Sequence, residues 1–332
     1  MADPQPSGRE NEVPPVVEIR LGALCWNQYT DWPSLLEAGI RAERLGYDTL
    51  WTWDHLYPII GDSRGPIFEG WLTTTAWAQA TERIRIGLMV GANTFRNPAL
   101  VAKMATTLDH ISRGRAILGI GAAWFDEEHL AFGLAFGDGP PERLRWLGEA
   151  LPIMRGMLDG MEPTARGPHY FSRHTRNFPA PIQAHLPICV GGGGEKVTLK
   201  LVAKYGDMNN IGGSIAAIRR KDEILIRHCE TVGRDPAEIE RTTGIGTVFI
   251  RDDRAEAERL FRAAFERNRI ARLWEDQPVG TPEDVAERLV PLVELGYHHL
   301  VAGFPATYDE ESMTRLATEV RPLLERVGAA TG

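Results

Sequence analysis

The stretch Asp48-Thr-Leu-Trp-Thr-Trp-Asp-His55 decides how the chain is read. Thr49, Trp51, Thr52 and Trp53 are β-branched or aromatic and favour extended backbone; the run then stops at an ionisable pair. Just upstream, residues 33–45 have helical periodicity, with Leu35, Leu36, Ile40 and Leu45 on one face. They close on Gly46, the residue type expected just past a helix end. Asp54 and His55 are thus placed where a strand leaves a sheet. In α/β folds that edge is where ligands bind.

Outward from this unit the alternation repeats. Residues 17–26 form the preceding predicted strand, and further strands are predicted over 83–91, 115–121, 186–190, 207–211, 242–250 and 297–304. Helices are predicted between them, over 71–81, 97–111, 142–158, 195–205 and 215–232, with a charged one to about 272. Asn97-Pro98 and Thr281-Pro-Glu-Asp284 carry helix-start signals, and a last helix ends near Val327. Eight strand–helix units are the count of a (β/α)8 TIM barrel with insertions. A doubly wound sheet with an added domain is the alternative, because periodicity does not see closure. No boundary resembles a linker, so residues 16–330 are read as one domain. Residues 159–185 lack periodicity and are expected to be an insertion covering part of the site.

Bulk properties narrow the function classes. The 332 residues are 43% hydrophobic, enough for a large core, and the net charge of −8 is spread along the chain, which argues against a nucleic-acid partner. Cys25, Cys189 and Cys229 are far apart and unpaired in spacing, as expected of a reduced, cytoplasmic protein. Residues 1–15 are rich in Pro, Glu and polar residues and are expected to be a disordered tail. No apolar run is long enough for a membrane span.

In a barrel, the loops after the strands converge on one face. Here they carry aromatics, amides, glycines, one histidine and a few acids, which suits a planar, hydrogen-bonding ligand with a phosphate. Gly191, Gly192, Gly193 and Gly194 lie between a strand and a predicted helix start, where bare amides and the helix dipole favour an anion; Lys196 would add charge. No Walker motif follows, and Asp207 is too near to complete a dinucleotide fingerprint. His55 is either a general acid–base or a histidine that merely hydrogen-bonds Asp54 or a carbonyl. His298 and His299 begin a strand and are read as structural; His169, His174 and His185 lack ligand spacing. Glu127, Glu128 and His129 are equally a solvated first turn or catalytic groups. No metal-ligand motif and no Gly-x-Ser-x-Gly elbow is present, so no metal is expected.

Taken in order, several motifs resemble the luciferase-like flavin and deazaflavin oxidoreductases. They are Trp51-Thr-Trp-Asp-His55, Ile86-Gly-Leu-Met-Val-Gly91, Thr94-Phe-Arg-Asn-Pro98, Ile117-Leu-Gly-Ile-Gly121 with Trp124 to His129, Pro187-Ile-Cys-Val-Gly-Gly-Gly-Gly194 and Gly280-Thr-Pro-Glu-Asp284. The resemblance implies a barrel, usually a homodimer, that binds coenzyme F420 or FMN at its C-terminal face, and the motifs look most like the F420 branch. It further implies that His55 stands beside the ring, with Asp54 among the cofactor-binding residues. Met89, Val90 and Gly91 would carry a bulge with a non-proline cis peptide behind the ring, and Gly192, Gly193 and Gly194 would take the phosphate. Trp26, Trp124 and Glu128 are expected in the substrate pocket. The sugar-phosphate dehydrogenases of the branch carry a proton-donating glutamate where Trp124 stands here, which argues against a sugar-phosphate substrate. The expected reaction is hydride transfer between the deazaflavin and a small organic substrate, with His55 handling a proton. The alternatives are an FMN-dependent monooxygenase using O2 and a flavin reductase partner, or a cofactor-binding protein without turnover.

Overall fold

The computed structural model describes residues 17–270 and 276–331; the tail expected over residues 1–15 lies outside them. The barrel strands are β1 (Arg20–Cys25), β2 (Thr49–Thr52), β3 (Arg85–Leu88), β4 (Ala116–Gly121), β5 (Ile188–Gly191), β6 (Met208–Asn210), β7 (Glu240–Thr247) and β8 (His299–Phe304). Every neighbouring pair is parallel, in the order β3-β2-β1-β8-β7-β6-β5-β4, and β3 pairs with β4 to close the ring. Closure excludes the doubly wound alternative. The helices are α1 (Trp32–Arg44), α2 (Gly70–Ala80), α3 (Pro98–Ser112), α4 (Asp126–Phe132), α5 (Pro140–Leu158), α6 (Thr198–Tyr205), α7 (Ile215–Val232), α8 (Arg254–Arg267), α9 (Pro282–Glu294), α10 (Glu310–Arg315) and α11 (Arg321–Thr331).

Strand parity builds two apolar layers. One lies between strands and helices; the other fills the barrel with Trp51, Ile117, Cys189, Met208 and Val301. The Trp51 indole fits there because its neighbours are glycines: a Cβ on Gly87 would stand 2.8 Å from its ring. Its N–H donates to Thr49 Oγ1 at 2.7 Å, so the polar edge of the indole is satisfied inside the barrel.

Several expectations need correction. The buried stripe of α1 is Leu35, Ala38, Gly39 and Ala42, with Leu36 and Ile40 only flanking it, because Trp77 of α2 lies against Gly39 where a Cβ would stand 2.3 Å from the indole. Helix α6 starts at Thr198 rather than Glu195, so the glycine run is not itself the helix N-terminus. The helix expected to reach about 272 ends at Arg267. Residues 159–185 contribute only a short hairpin, Ala165–Arg166 with Phe171–Ser172, and none of them lines the main cleft. They strap the outer layer instead. Asp109 of α3 accepts from Ile182 N at 2.7 Å and Gln183 N at 3.0 Å, and Glu149 of α5 accepts from Tyr170 N at 2.9 Å. The capping box of Thr281 and Asp284 forms as expected.

Candidate active site

At the C-terminal ends of the strands lies a cleft of about 370 Å³, within the roughly 300–1,000 Å³ range of ligand pockets. It is bordered by the ends of β2 to β6. The peptide between Met89 and Val90 is cis, and Val90 stands on the cleft floor between two bare glycines. A Cβ on Gly191 would approach a Val90 methyl to 2.6 Å, and one on Gly121 to 2.9 Å. A side chain at either position would therefore push Val90 out of its place in the floor.

Asp54 is buried beneath that floor. Its Oδ2 accepts from Ala92 N at 2.9 Å and from Arg96 Nη1 at 2.7 Å, while Oδ1 is buried without a partner. Burial pushes its carboxyl above the usual carboxylate range, and the Arg96 guanidinium pulls the other way. Arg96 also binds Glu69 at 2.7 Å, whose other oxygen caps α2 at Leu72 N. Asp54 thus holds the 91–96 loop against the end of β2.

His55 faces the cleft, but its partner is neither Asp54 nor a carbonyl. Its Nδ1 lies 2.8 Å from Glu128 Oε1, and Glu128 Oε2 accepts from Leu56 N at 2.7 Å and Tyr57 N at 3.4 Å. Nε2 has no hydrogen-bond partner among the described residues. The imidazole is flanked edge-on by Trp124, with ring centroids 5.6 Å apart, and by Phe125 at 6.2 Å.

Two of the three residues expected in the substrate pocket are elsewhere. Trp26 is buried behind Trp53, with ring centroids 5.0 Å apart, and does not line the cleft. Glu128 is fully buried beneath His55, so of residues 127–129, which open α4, Glu127 alone is exposed. Trp124 does line the cleft and is 60% exposed, which puts it at the mouth. His129 is buried as well: its Nδ1 donates to Phe125 O at 2.6 Å, and its Nε2 accepts from the Thr94 hydroxyl at 2.6 Å. Burial holds its pKa below the usual value, with the Phe125 carbonyl opposing.

That shift has a consequence for stability. The unfolded chain takes up the proton near pH 6.5 while folded His129 stays neutral, so its contribution is present above about pH 6.5 and is lost as pH falls through the folded value. In urea unfolding followed from pH 7 to 5, His129→Gln is expected to show a shallower loss of stability than the wild type. The difference in slope is at most about 1.4 kcal/mol per pH unit.

The glycine loop is more occupied than its sequence implies. Gly192, at φ +109°, donates its N–H to Asn210 O at 3.2 Å, which leaves Gly193 and Gly194 as the amides open to an anion. The cation beside them is Lys221 of α7 rather than Lys196: a Cβ on Gly193 would stand 2.8 Å from Lys221 Nζ, which donates to Gly212 O at 2.9 Å. Sequence reasoning missed Arg96, Lys221 and the Glu128–His55 pairing. Arg96 sits inside a quoted motif, so an inventory of ionisable residues near the predicted strand ends would have flagged it, whereas Glu128 was a candidate but not as the partner of His55. Nothing local marks Lys221.

Residues 20–277 match the model of a family described as luciferase-like monooxygenase. An F420-dependent glucose-6-phosphate dehydrogenase of Amycolatopsis mediterranei is 25% identical over 89% of this chain and 95% of its own. One of Kineococcus radiotolerans is 29% identical over 87% and 92%, respectively. A solved F420-dependent secondary alcohol dehydrogenase, in complex with an F420–acetone adduct, matches with a TM-score of 0.79 at 22% identity. That match covers 92% of this chain and 99% of its own, and at this identity it speaks for the fold.

Proposed function

The chain belongs to the luciferase-like monooxygenase family, and from that membership we propose that it is an F420-dependent oxidoreductase. It transfers a hydride between the deazaflavin coenzyme and a small, uncharged alcohol or carbonyl compound. The observation that carries this reading is the cleft at the C-terminal strand ends, whose floor is Val90 packed directly against the bare Gly121 and Gly191, with His55 on one side and the glycine loop on the other. The F420-dependent relatives support the choice of coenzyme.

The residues present fit that group. Val90 would back the ring, and the open amides of Gly193 and Gly194, with Lys221, would take its phosphate. The unpartnered Asp54 Oδ1 adds an acceptor at the buried end. When bound, the deazaflavin supplies a two-electron hydride acceptor or donor. His55 Nε2 takes the substrate's hydroxyl proton in oxidation and returns it in reduction. Trp53, Ile59 and Trp124 give the cleft apolar walls that keep water from the reacting atoms. No Lys or Arg side chain is among the described residues lining it, and the family resemblance puts Trp124 where the sugar-phosphate enzymes carry a glutamate. Both features favour an uncharged substrate over a sugar phosphate.

The test is a turnover screen with F420, comparing secondary alcohols with sugar phosphates. Turnover confined to the sugar phosphates would overturn the substrate class proposed here. Lys221→Ala is expected to weaken F420 binding about tenfold or more and to flatten its salt dependence, read by fluorescence titration.

The same reading makes the protein a cytoplasmic homodimer, with mass from sedimentation as the check. In support of a reducing compartment, all three cysteines are buried free thiols. No helix of the described residues is long and apolar enough to cross a membrane.

A further inference from the structure

We infer that Glu128 is the positioning residue that sets the tautomer of His55, so that an unprotonated Nε2 faces the cleft as the proton acceptor. This rests on the proposed oxidoreductase reading for its catalytic consequence, but not for its geometry. An ionised carboxylate only accepts hydrogen bonds. Glu128 spends Oε2 on the N–H groups of Leu56 and Tyr57, so its position is locked by backbone. Oε1 then faces His55 Nδ1 at 2.8 Å and can be satisfied only by a proton on that nitrogen. In the neutral ring Nε2 is left with its lone pair, on the side that lines the cleft.

In alcohol oxidation the substrate O–H bond breaks to give Nε2–H. The carbon loses its hydride to the oxidised deazaflavin, the two-electron acceptor of the proposed reading, and a C=O bond forms. The imidazolium so formed is stabilised by Glu128 across the Nδ1–H bond.

Glu128→Gln tests this without changing shape. The two backbone N–H groups at Oε2 require an acceptor, so the amide must turn its oxygen to them and its NH2 to Nδ1. Nδ1 must then accept, and the proton moves to Nε2. Nitrogen-15 NMR of labelled protein, above the titration of the ring, is expected to show His55 protonated at Nδ1 in the wild type and at Nε2 in the variant. With F420 bound as tightly as before, kcat for alcohol oxidation should fall at least about tenfold, since a histidine fixed in the wrong tautomer loses its function as a base. Protonation at Nε2 in the wild type, or the same tautomer in both proteins, would overturn the inference. Should the variant fail to fold, the wild-type spectrum alone decides. The spectra need no cofactor, so failure to bind F420 would count against the proposed function alone.

Discussion

His55→Ala is expected to lower kcat by about 10²–10⁴-fold while leaving F420 affinity within a few-fold of the wild type. The direction follows from the geometry: the ring is the one imidazole among the described residues lining the cleft, its far nitrogen is anchored to a buried carboxylate, and the amides proposed to hold the phosphate lie after a different strand. Removing it takes away proton transfer and leaves the floor around Val90 intact. Steady-state kinetics beside a binding titration separates these effects. A large loss of affinity with unchanged kcat would show that His55 acts in cofactor binding and would remove the proton step from the account.

Arg96→Leu should cost about 3–5 kcal/mol of folding stability, because it leaves the buried Asp54 carboxylate without its ion-pair partner. Asp54 is 2% exposed, and its Oδ1 already lacks a partner, so little else stands ready to compensate. Burial raises its folded pKa, so the sign is clear. The loss is greatest at high pH, where the unpaired carboxylate is charged, and shrinks as pH falls to where it is protonated. Urea unfolding at several pH values checks this, and Arg96→Leu with Asp54→Asn should recover part of the loss. A variant with wild-type stability at neutral pH would contradict the assignment of this pair as the structural support of the cleft floor.

How much of this was legible in sequence depended on range. Strand–helix alternation, the exit of β2 shortly before Asp54 and His55 and the Thr281 capping box are local signals, and each lies where the sequence places it. The cis peptide at Met89–Val90 followed from family resemblance alone; no local propensity announces it. Contacts made across the barrel were not legible. Glu128 reaches His55 from 73 residues away, and Lys221 reaches the glycine loop from the side of a helix whose periodicity shows only which residues face inward. Trp26 was misplaced for the related reason that a residue at a strand end either opens into the cleft or packs behind its neighbour, and Trp53 takes the inner position. Residues 159–185 lacked periodicity because they strap helices rather than continue the barrel, which composition does not distinguish from a lid.

The most direct measurement is titration of the cofactor-free protein with F420 and, separately, with FMN, following cofactor fluorescence. Tight binding of F420 with FMN bound far more weakly is the expected result, and it fixes hydride transfer as the chemistry of the cleft. Preference for FMN would contradict the account and point to oxygen-dependent chemistry with a flavin reductase as partner.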